Sequence, residues 1–162
     1  MKVAVVMGST SDVTKVEPTI KILKELGVTV DVRCLSAHRA HNELMAYVKE
    51  CNVNDTEVII CAAGMAAALP GVVAATTTLP VIGLPLTSQT LDGMDALLSI
   101  VQMPPGIPVA TVAINGSKNA AYLALQILGI KYPVIRELLD KHRLCMQDDA
   151  MKANEQVIEM FK

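Results

Sequence analysis

Aromatic residues are scarce in this 162-residue chain, which has no tryptophan, one phenylalanine and three tyrosines. Hydrophobic residues nevertheless make up 52% of the sequence. The core must therefore be built from valine, isoleucine, leucine, alanine and methionine. This composition suits closely packed α/β layers, or a subunit that covers apolar surface by forming an oligomer. The length is sufficient for a full core, and we expect residues 1–162 to form a single domain.

The chain also has no excess of positive charge, because its 14 lysines and arginines are outnumbered by 16 acidic residues and the formal net charge is −2. The chain has no basic field that would attract nucleic acid or anionic lipid, so we expect neither as a partner. Glycine and proline interrupt the apolar stretches well short of the length of a membrane-spanning helix. No signal-peptide pattern precedes the first predicted strand.

Cysteine pairs with metal-binding spacing are absent as well. The four cysteines lie at positions 34, 51, 61 and 145, with no CxxC pair and no histidine spacing typical of zinc. We therefore expect four reduced thiols, no metal site and a cytoplasmic location.

The most informative stretch covers residues 3–12. An unbroken apolar run over residues 3–7 predicts a strand that is buried on both faces of a parallel sheet. Gly8 ends this run, and hydroxyl residues follow before a helical pattern begins, with Ser11 or Asp12 as the predicted N-cap. Free N–H groups at such a helix N-terminus suit a phosphate. An ordinary turn between strand and helix is the alternative interpretation.

The rest of the chain alternates between strand and helix patterns. Predicted strands cover residues 3–7, 28–35, 57–63, 80–84 and 109–113. Predicted helices cover residues 13–26, 42–51, a short stretch after Gly71, about ten residues up to Met103, 117–128 with Ser117 as its cap, and 133–146. This order predicts a doubly wound parallel α/β sheet with right-handed crossovers.

A last helix, over residues 148–162, is expected to follow the completed sheet. It carries apolar residues at positions 150, 151, 157, 158, 160 and 161 but has no strand of its own to cover. We expect it to pack on a neighbouring subunit.

Three polar or glycine-rich segments, 8–12, 36–41 and 63–71, follow predicted strands. They should converge at the carboxyl edge of the sheet, where doubly wound folds bind ligands. There Arg39 and Ser36 could bind a phosphate, and Asp12 could accept hydrogen bonds from ribose hydroxyls. A solvated arginine and a simple helix cap are the alternatives. His38 is the best candidate for proton transfer, although a single histidine more often has no catalytic role.

Four segments, 7–12, 36–39, 63–71 and 99–109, occur in an order that closely resembles the PurE family, the N5-carboxyaminoimidazole ribonucleotide mutases of purine biosynthesis. The resemblance implies a three-layer flavodoxin-like fold, a homo-octamer and no metal or organic cofactor. It implies His38 as the catalytic residue. The substrate-binding residues that we carry over from these motifs are Gly8, Ser9, Ser11, Asp12, Ser36, Ala37, Arg39, Ala63, Gly64, Ala66, Ala67, Ala68 and Leu69.

The family's reaction moves a carboxyl group within a small ribonucleotide. The carbamate of the substrate loses CO2 in the closed site, and C4 of the imidazole then captures this CO2. By resemblance, His38 protonates the departing nitrogen and later removes the C4 proton. Exclusion of water from the site matters because free CO2 would otherwise escape.

One position departs from the family pattern, since Ala68 lies where bacterial mutases usually carry a histidine. The branch that carboxylates aminoimidazole ribonucleotide directly with CO2 also lacks this histidine, but it tends to carry lysine where this chain has Arg39. We therefore keep direct carboxylation as an alternative, with His41 as a possible partial substitute for the missing imidazole. A non-catalytic module that binds FMN or another phosphorylated ligand, or an inactive paralogue, is the further alternative.

Overall fold

The computed structural model describes residues 1–162 as five strands and six α-helices that alternate along the chain. The strands are β1 Lys2–Met7, β2 Thr29–Cys34, β3 Thr56–Gly64, β4 Val81–Leu86 and β5 Ala110–Thr111. The helices are α1 Val13–Glu25, α2 His41–Val53, α3 Leu69–Ala74, α4 Met94–Val101, α5 Ser117–Lys131 and α6 Pro133–Met160. Short 3-10 turns at Thr10–Asp12 and Leu91–Gly93 precede α1 and α4.

All strands are parallel and lie in the order β2-β1-β3-β4-β5. This is the flavodoxin-like order, in which the chain reverses its direction of winding between β1 and β3. The fold class predicted from the sequence is therefore confirmed. None of the helices is both long and apolar enough to span a membrane.

The central strand β1 shows why the sheet has helices on both faces. Val3 and Val5 pack in one cluster with residues of α1 and α5, whereas Ala4 and Val6 pack in a second cluster with residues of α2, α3 and α4. All four side chains are fully buried. A strand that is buried on both faces needs a continuous apolar run rather than an alternating one, and residues 3–7 supply it.

The N-terminus of α5 differs from the prediction. Ser117 was expected to cap this helix, but Gly116 occupies the cap position and Ser117 is the first helical residue. The Ser117 hydroxyl donates instead to the main-chain oxygen of Lys15, and its own carbonyl accepts a hydrogen bond from the buried Thr19 hydroxyl at 2.7 Å. Ser117 thus ties α5 to the first half of α1, beside the predicted ligand edge.

The C-terminal region is one 28-residue helix rather than the two predicted helices. The polar residues around position 147 are exposed and lie within this continuous helix. Only the first half of α6 packs on the domain: Ile135 is buried, and His142 stacks on Tyr122 with ring centroids 4.7 Å apart. Every residue from Arg143 to Lys162 is exposed.

Candidate functional site

A cavity of about 630 Å³ opens at the carboxyl edge of the sheet, beside the point where the winding reverses. It is lined by segments that follow β1, β2, β3 and β4, so the predicted convergence of the three polar segments is confirmed. The lining residues are Gly8, Ser9, Ser11, Asp12, Lys15, Ser36, Ala37, His38, Arg39, Ala63, Gly64, Met65, Ala66, Ala67, Leu69, Thr87 and Ser88.

A larger depression of about 920 Å³ lies elsewhere, between the residues that precede β4 and those around β5. Its lining carries threonines, prolines and small apolar residues but no titratable side chain. Of these two, only the smaller cavity carries the titratable side chains that proton transfer and anion binding require.

The turn after β1 is held by Ser9 rather than by the predicted cap residues. The Ser9 hydroxyl oxygen accepts hydrogen bonds from the Ser11 main-chain nitrogen at 3.3 Å and from the Ser11 hydroxyl at 2.9 Å. Asp12 occupies the N-cap position of α1, but its side chain makes no capping hydrogen bond. The predicted N-cap position is therefore confirmed at Asp12, although its side chain does not make the hydrogen bond that usually accompanies this position. The consequence is functional, since the Asp12 carboxylate stays available to a ligand.

Asp12 is also the one acidic side chain in the cavity lining. Burial raises the pKa of its carboxyl, and the neighbouring Lys15 ammonium offsets part of that rise. The nearby polar groups of Ser9 and Ser11 also lower the pKa of Asp12. A carboxylate in this position can accept hydrogen bonds from hydroxyl groups, as acidic residues of doubly wound folds do with ribose.

Arg39 connects the loop after β2 to the end of β1. Its guanidinium donates to the main-chain oxygen of Gly8 at 3.1 Å and to the Ser36 hydroxyl at 3.4 Å. The remaining donors of the fork are free for a phosphate, for which a planar guanidinium is well suited. His38 lies next to it in the cavity lining and is exposed, so its imidazole is accessible to a ligand.

The wall after β3 is built from small residues for a geometric reason. A Cβ on Gly64 would lie 3.2 Å from the main-chain oxygen of Leu86, so the backbones of β3 and β4 approach closely here. Met65 follows with a positive φ of 56°, an uncommon conformation for a residue with a side chain. The main-chain nitrogen of Ala67 then donates to the Met65 carbonyl at 2.8 Å, which closes a tight turn.

Ala68 is the one predicted site residue that does not line the cavity. It lies at the N-cap position of α3, where its carbonyl accepts a hydrogen bond from the nitrogen of Val72 at 3.0 Å. His41 does not line the cavity either, since it begins α2. The idea that His41 substitutes for a loop histidine therefore has no support from the geometry.

Four lining residues were missed from the sequence: Lys15, Met65, Thr87 and Ser88. Lys15 follows Asp12 by three residues, a spacing that places both on one side of α1, and this spacing could have indicated it. Thr87 and Ser88 belong to a polar stretch directly after β4. Only the strand order, with β4 next to β3, shows that this stretch reaches the same cavity.

Together, the fold and the site define a doubly wound α/β protein whose ligand site lies at the topological switch point, the arrangement of nucleotide-binding proteins of this class. The sequence model of the AIR carboxylase family matches residues 2–149. The chain therefore belongs to the AIR carboxylase family, and the resemblance to PurE proteins is confirmed.

Relatives with high identity share one name. The chain is 51% identical over 150 residues to an N5-carboxyaminoimidazole ribonucleotide mutase of Saccharolobus solfataricus, which covers 93% of this chain and 95% of that protein. It is 49% identical over 160 residues to the mutase of Methanocaldococcus jannaschii, which covers 99% of both. The crystal structure of Treponema denticola PurE superposes with a TM-score of 0.83 at 31% identity, over 95% of this chain and 94% of that one.

Proposed function

We propose that this protein is an N5-carboxyaminoimidazole ribonucleotide mutase of purine biosynthesis, which forms 4-carboxy-5-aminoimidazole ribonucleotide. The observation that carries the proposal is that residues from separate sequence motifs surround one cavity: His38 and Arg39 after β2, Asp12 after β1 and Gly64 at the end of β3. The relatives that share about half of the residues over nearly the whole chain carry the mutase name. Their names favour the mutase over direct carboxylation.

In this reaction Arg39, Ser36 and the turn after β1 bind the phosphate, and Asp12 accepts the ribose hydroxyls. His38 gives a proton to the nitrogen of the carbamate as the bond from nitrogen to the carboxyl carbon breaks, which releases CO2. The C4 carbon then attacks this CO2, and the neutral imidazole of His38 removes the C4 proton. The histidine ends as it began, so no net proton is exchanged.

The small residues after β3 serve to retain CO2. Ala63 and Gly64 are small enough for the cavity wall to approach the imidazole ring of the substrate closely. The side chains of Ala66, Ala67 and Leu69 form an apolar environment for CO2, because they carry no hydrogen-bonding groups. Ala68 supports the end of this wall through the backbone of α3. The side chain of Ala68 lies outside the cavity lining. With alanine rather than histidine at this position, His38 is the one imidazole in the cavity lining.

A flavin-binding module is the weaker candidate. Flavin sites usually gain from aromatic stacking, and none of the four aromatic side chains lines the cavity. Tyr47 lies in α2, Tyr122 in α5 and Tyr132 directly before α6.

Two parallel assays test the function. One supplies N5-carboxyaminoimidazole ribonucleotide, and the other supplies aminoimidazole ribonucleotide with excess bicarbonate. Fast product formation in the first assay with little in the second is expected. The reverse result would place this chain in the carboxylase branch, and activity in neither assay would exclude both reactions.

We further propose that the protein assembles as a homo-octamer and that residues 148–162 pack on a neighbouring subunit. The support is the exposed second half of α6, which extends past α5. The exposed large apolar residues from position 144 onward are Leu144, Met146, Met151, Val157, Ile158, Met160 and Phe161.

A further inference from the structure

Lys15 is a second cation in the cavity. It lies in α1, one turn after Asp12, and its ammonium donates a hydrogen bond to the main-chain oxygen of Thr87 at 2.6 Å. Thr87 directly follows β4, whereas α1 begins above the end of β1. The Lys15 side chain therefore reaches across the top of β3 and places its charge on the β4 side of the cavity.

The Lys15 ammonium is held in place but retains hydrogen-bonding capacity. An ammonium group has three N–H donors, and the Thr87 carbonyl uses one of them. The main chain at Lys15 is anchored independently, because its carbonyl accepts a hydrogen bond from the Ser117 hydroxyl. The Lys15 side chain is half-buried, so the position of its ammonium group is restrained and its remaining N–H donors are available to a ligand.

The two cations of the lining lie on opposite sides of the cavity. Arg39 is bonded to the carbonyl of Gly8 after β1, and Lys15 is bonded to the carbonyl of Thr87 after β4. β3 lies between these strands, so the two anchor points are about 10 Å apart across the sheet. The Asp12 carboxylate also lies near Lys15, and in the proposed function it accepts the ribose hydroxyls. A ligand that engages both cations then needs two anionic groups about this far apart.

We propose that Lys15 binds the transferable carboxyl group of the ligand while Arg39 binds its phosphate. This inference rests on the proposed function, whose substrate carries a phosphate at one end and a carbamate at the other, with a ribose and an imidazole between them. The product carries its carboxylate at the same end. Lys15 then contributes to binding only when the carboxyl group is present, since CO2 itself is neutral.

The test compares two nucleotides that differ only in this group. Calorimetry measures the dissociation constants of aminoimidazole ribonucleotide and of its 4-carboxy derivative with the unmodified protein, Lys15→Met and Arg39→Ala. Lys15→Met should weaken binding of the carboxylated nucleotide about tenfold or more, the loss expected for a charge-assisted hydrogen bond, and leave binding of the other nucleotide unchanged. Arg39→Ala should weaken binding of both equally.

The other outcomes overturn the proposal. An equal loss for both nucleotides would mean that Lys15 positions the segment after β4 or serves the phosphate, and no loss for either would mean that it faces solvent. Lys15→Gln keeps a donor for the Thr87 carbonyl and should show the same selective loss of affinity for the carboxylated nucleotide. This second variant keeps the test valid if Lys15→Met misfolds. If the unmodified protein binds neither nucleotide, the proposed function itself fails, a result distinct from a non-selective Lys15 variant.

Discussion

At the scale of single residues, the histidine next to Arg39 carries the proposed proton transfers. His38→Asn should lower kcat by a factor of about 100 to 10,000, the usual contribution of a general acid–base group, while the fold remains intact. Steady-state kinetics and circular dichroism measure the two effects. His41→Asn is the matched control, because His41 lies three residues further on and outside the cavity lining. Near-normal turnover in His38→Asn would remove this residue from the mechanism.

Arg39 should act through binding rather than through chemistry. Arg39→Ala removes the fork that contacts Gly8 and Ser36, so KM should rise about tenfold or more with a smaller change in kcat. Arg39→Lys keeps the charge but loses the planar geometry and should recover only part of the affinity. Arg33→Ala is the control, since Arg33 pairs with Asp31 on the exposed edge strand β2. An unchanged KM in Arg39→Ala would contradict the phosphate assignment.

The candidate site residues that could be predicted from the sequence lie directly after predicted strands. His38, Arg39 and Asp12 follow predicted strand ends, and parallel strands end at one edge, so their convergence could be predicted. Lys15 could not be found in this way. Its side chain reaches the cavity only because the end of β4 lies within its range, a contact between residues 72 positions apart.

The capping prediction for Ser117 failed for a related reason. A hydroxyl residue before a helix can bond to the helix N-terminus or to another element, and the local sequence does not distinguish these possibilities. At Ser117 the second possibility is realised through α1.

At the scale of elements, Glu57 near the start of β3 fastens this strand to the junction between α5 and α6. Its carboxylate accepts hydrogen bonds from the Lys131 ammonium at 2.7 Å and from the Tyr132 hydroxyl at 2.9 Å. Burial alone would raise the pKa of Glu57, but the hydrogen bonds from Lys131 and Tyr132 outweigh burial and lower the pKa below its ordinary value.

The lowered pKa of Glu57 gives a pH-dependent contribution to stability. A carboxylate with a depressed folded-state pKa stabilises the protein above its unfolded-state pKa, near 4.3, and loses this effect as the pH falls through the folded-state pKa. Glu57→Gln should therefore lower the free energy of unfolding at pH 7 by about 1 kcal/mol or less, because the cluster is partly exposed. Urea titrations at pH 7 and pH 3 measure the difference. Equal destabilisation at both values would contradict the electrostatic origin.

Strand and helix identities were predictable because each element has a clear apolar period, whereas element lengths at the edges of the fold were not. The predicted fifth strand covers 109–113, but β5 pairs with β4 only at Ala110 and Thr111. The nitrogen of Asn115 then bonds to the carbonyl of Pro85, and Asn115 adopts a positive φ of 55°. The end of β5 is therefore set by contacts with β4 rather than by the sequence of β5 itself.

At the scale of the whole molecule, the proposed packing of the second half of α6 on a neighbouring subunit can be argued from its length and its apolar face. A helix of 28 residues is about 42 Å long, whereas the 15 residues of α5 extend over about 22 Å. Apolar residues at positions 146, 150, 153, 157 and 160 share one face by helical spacing, and charged residues at 148, 152, 155 and 159 lie opposite. Isolated helical segments of this length are marginal in water, which supports the proposal that the apolar face packs on a neighbouring subunit.

Two substitutions on opposite faces of α6 separate the effect of the apolar face on assembly from the effect of net charge. Val157→Asp places a charge on the apolar face and should shift the protein to smaller species in multi-angle light scattering, because a charge buried without a partner is strongly unfavourable. Lys152→Gln makes the same change of −1 in net charge on the polar face and should leave the molecular mass unchanged. If both variants keep the mass of the unmodified protein, α6 does not cross to a neighbouring subunit. Dissociation of both would mean that net charge, rather than the apolar face, controls assembly.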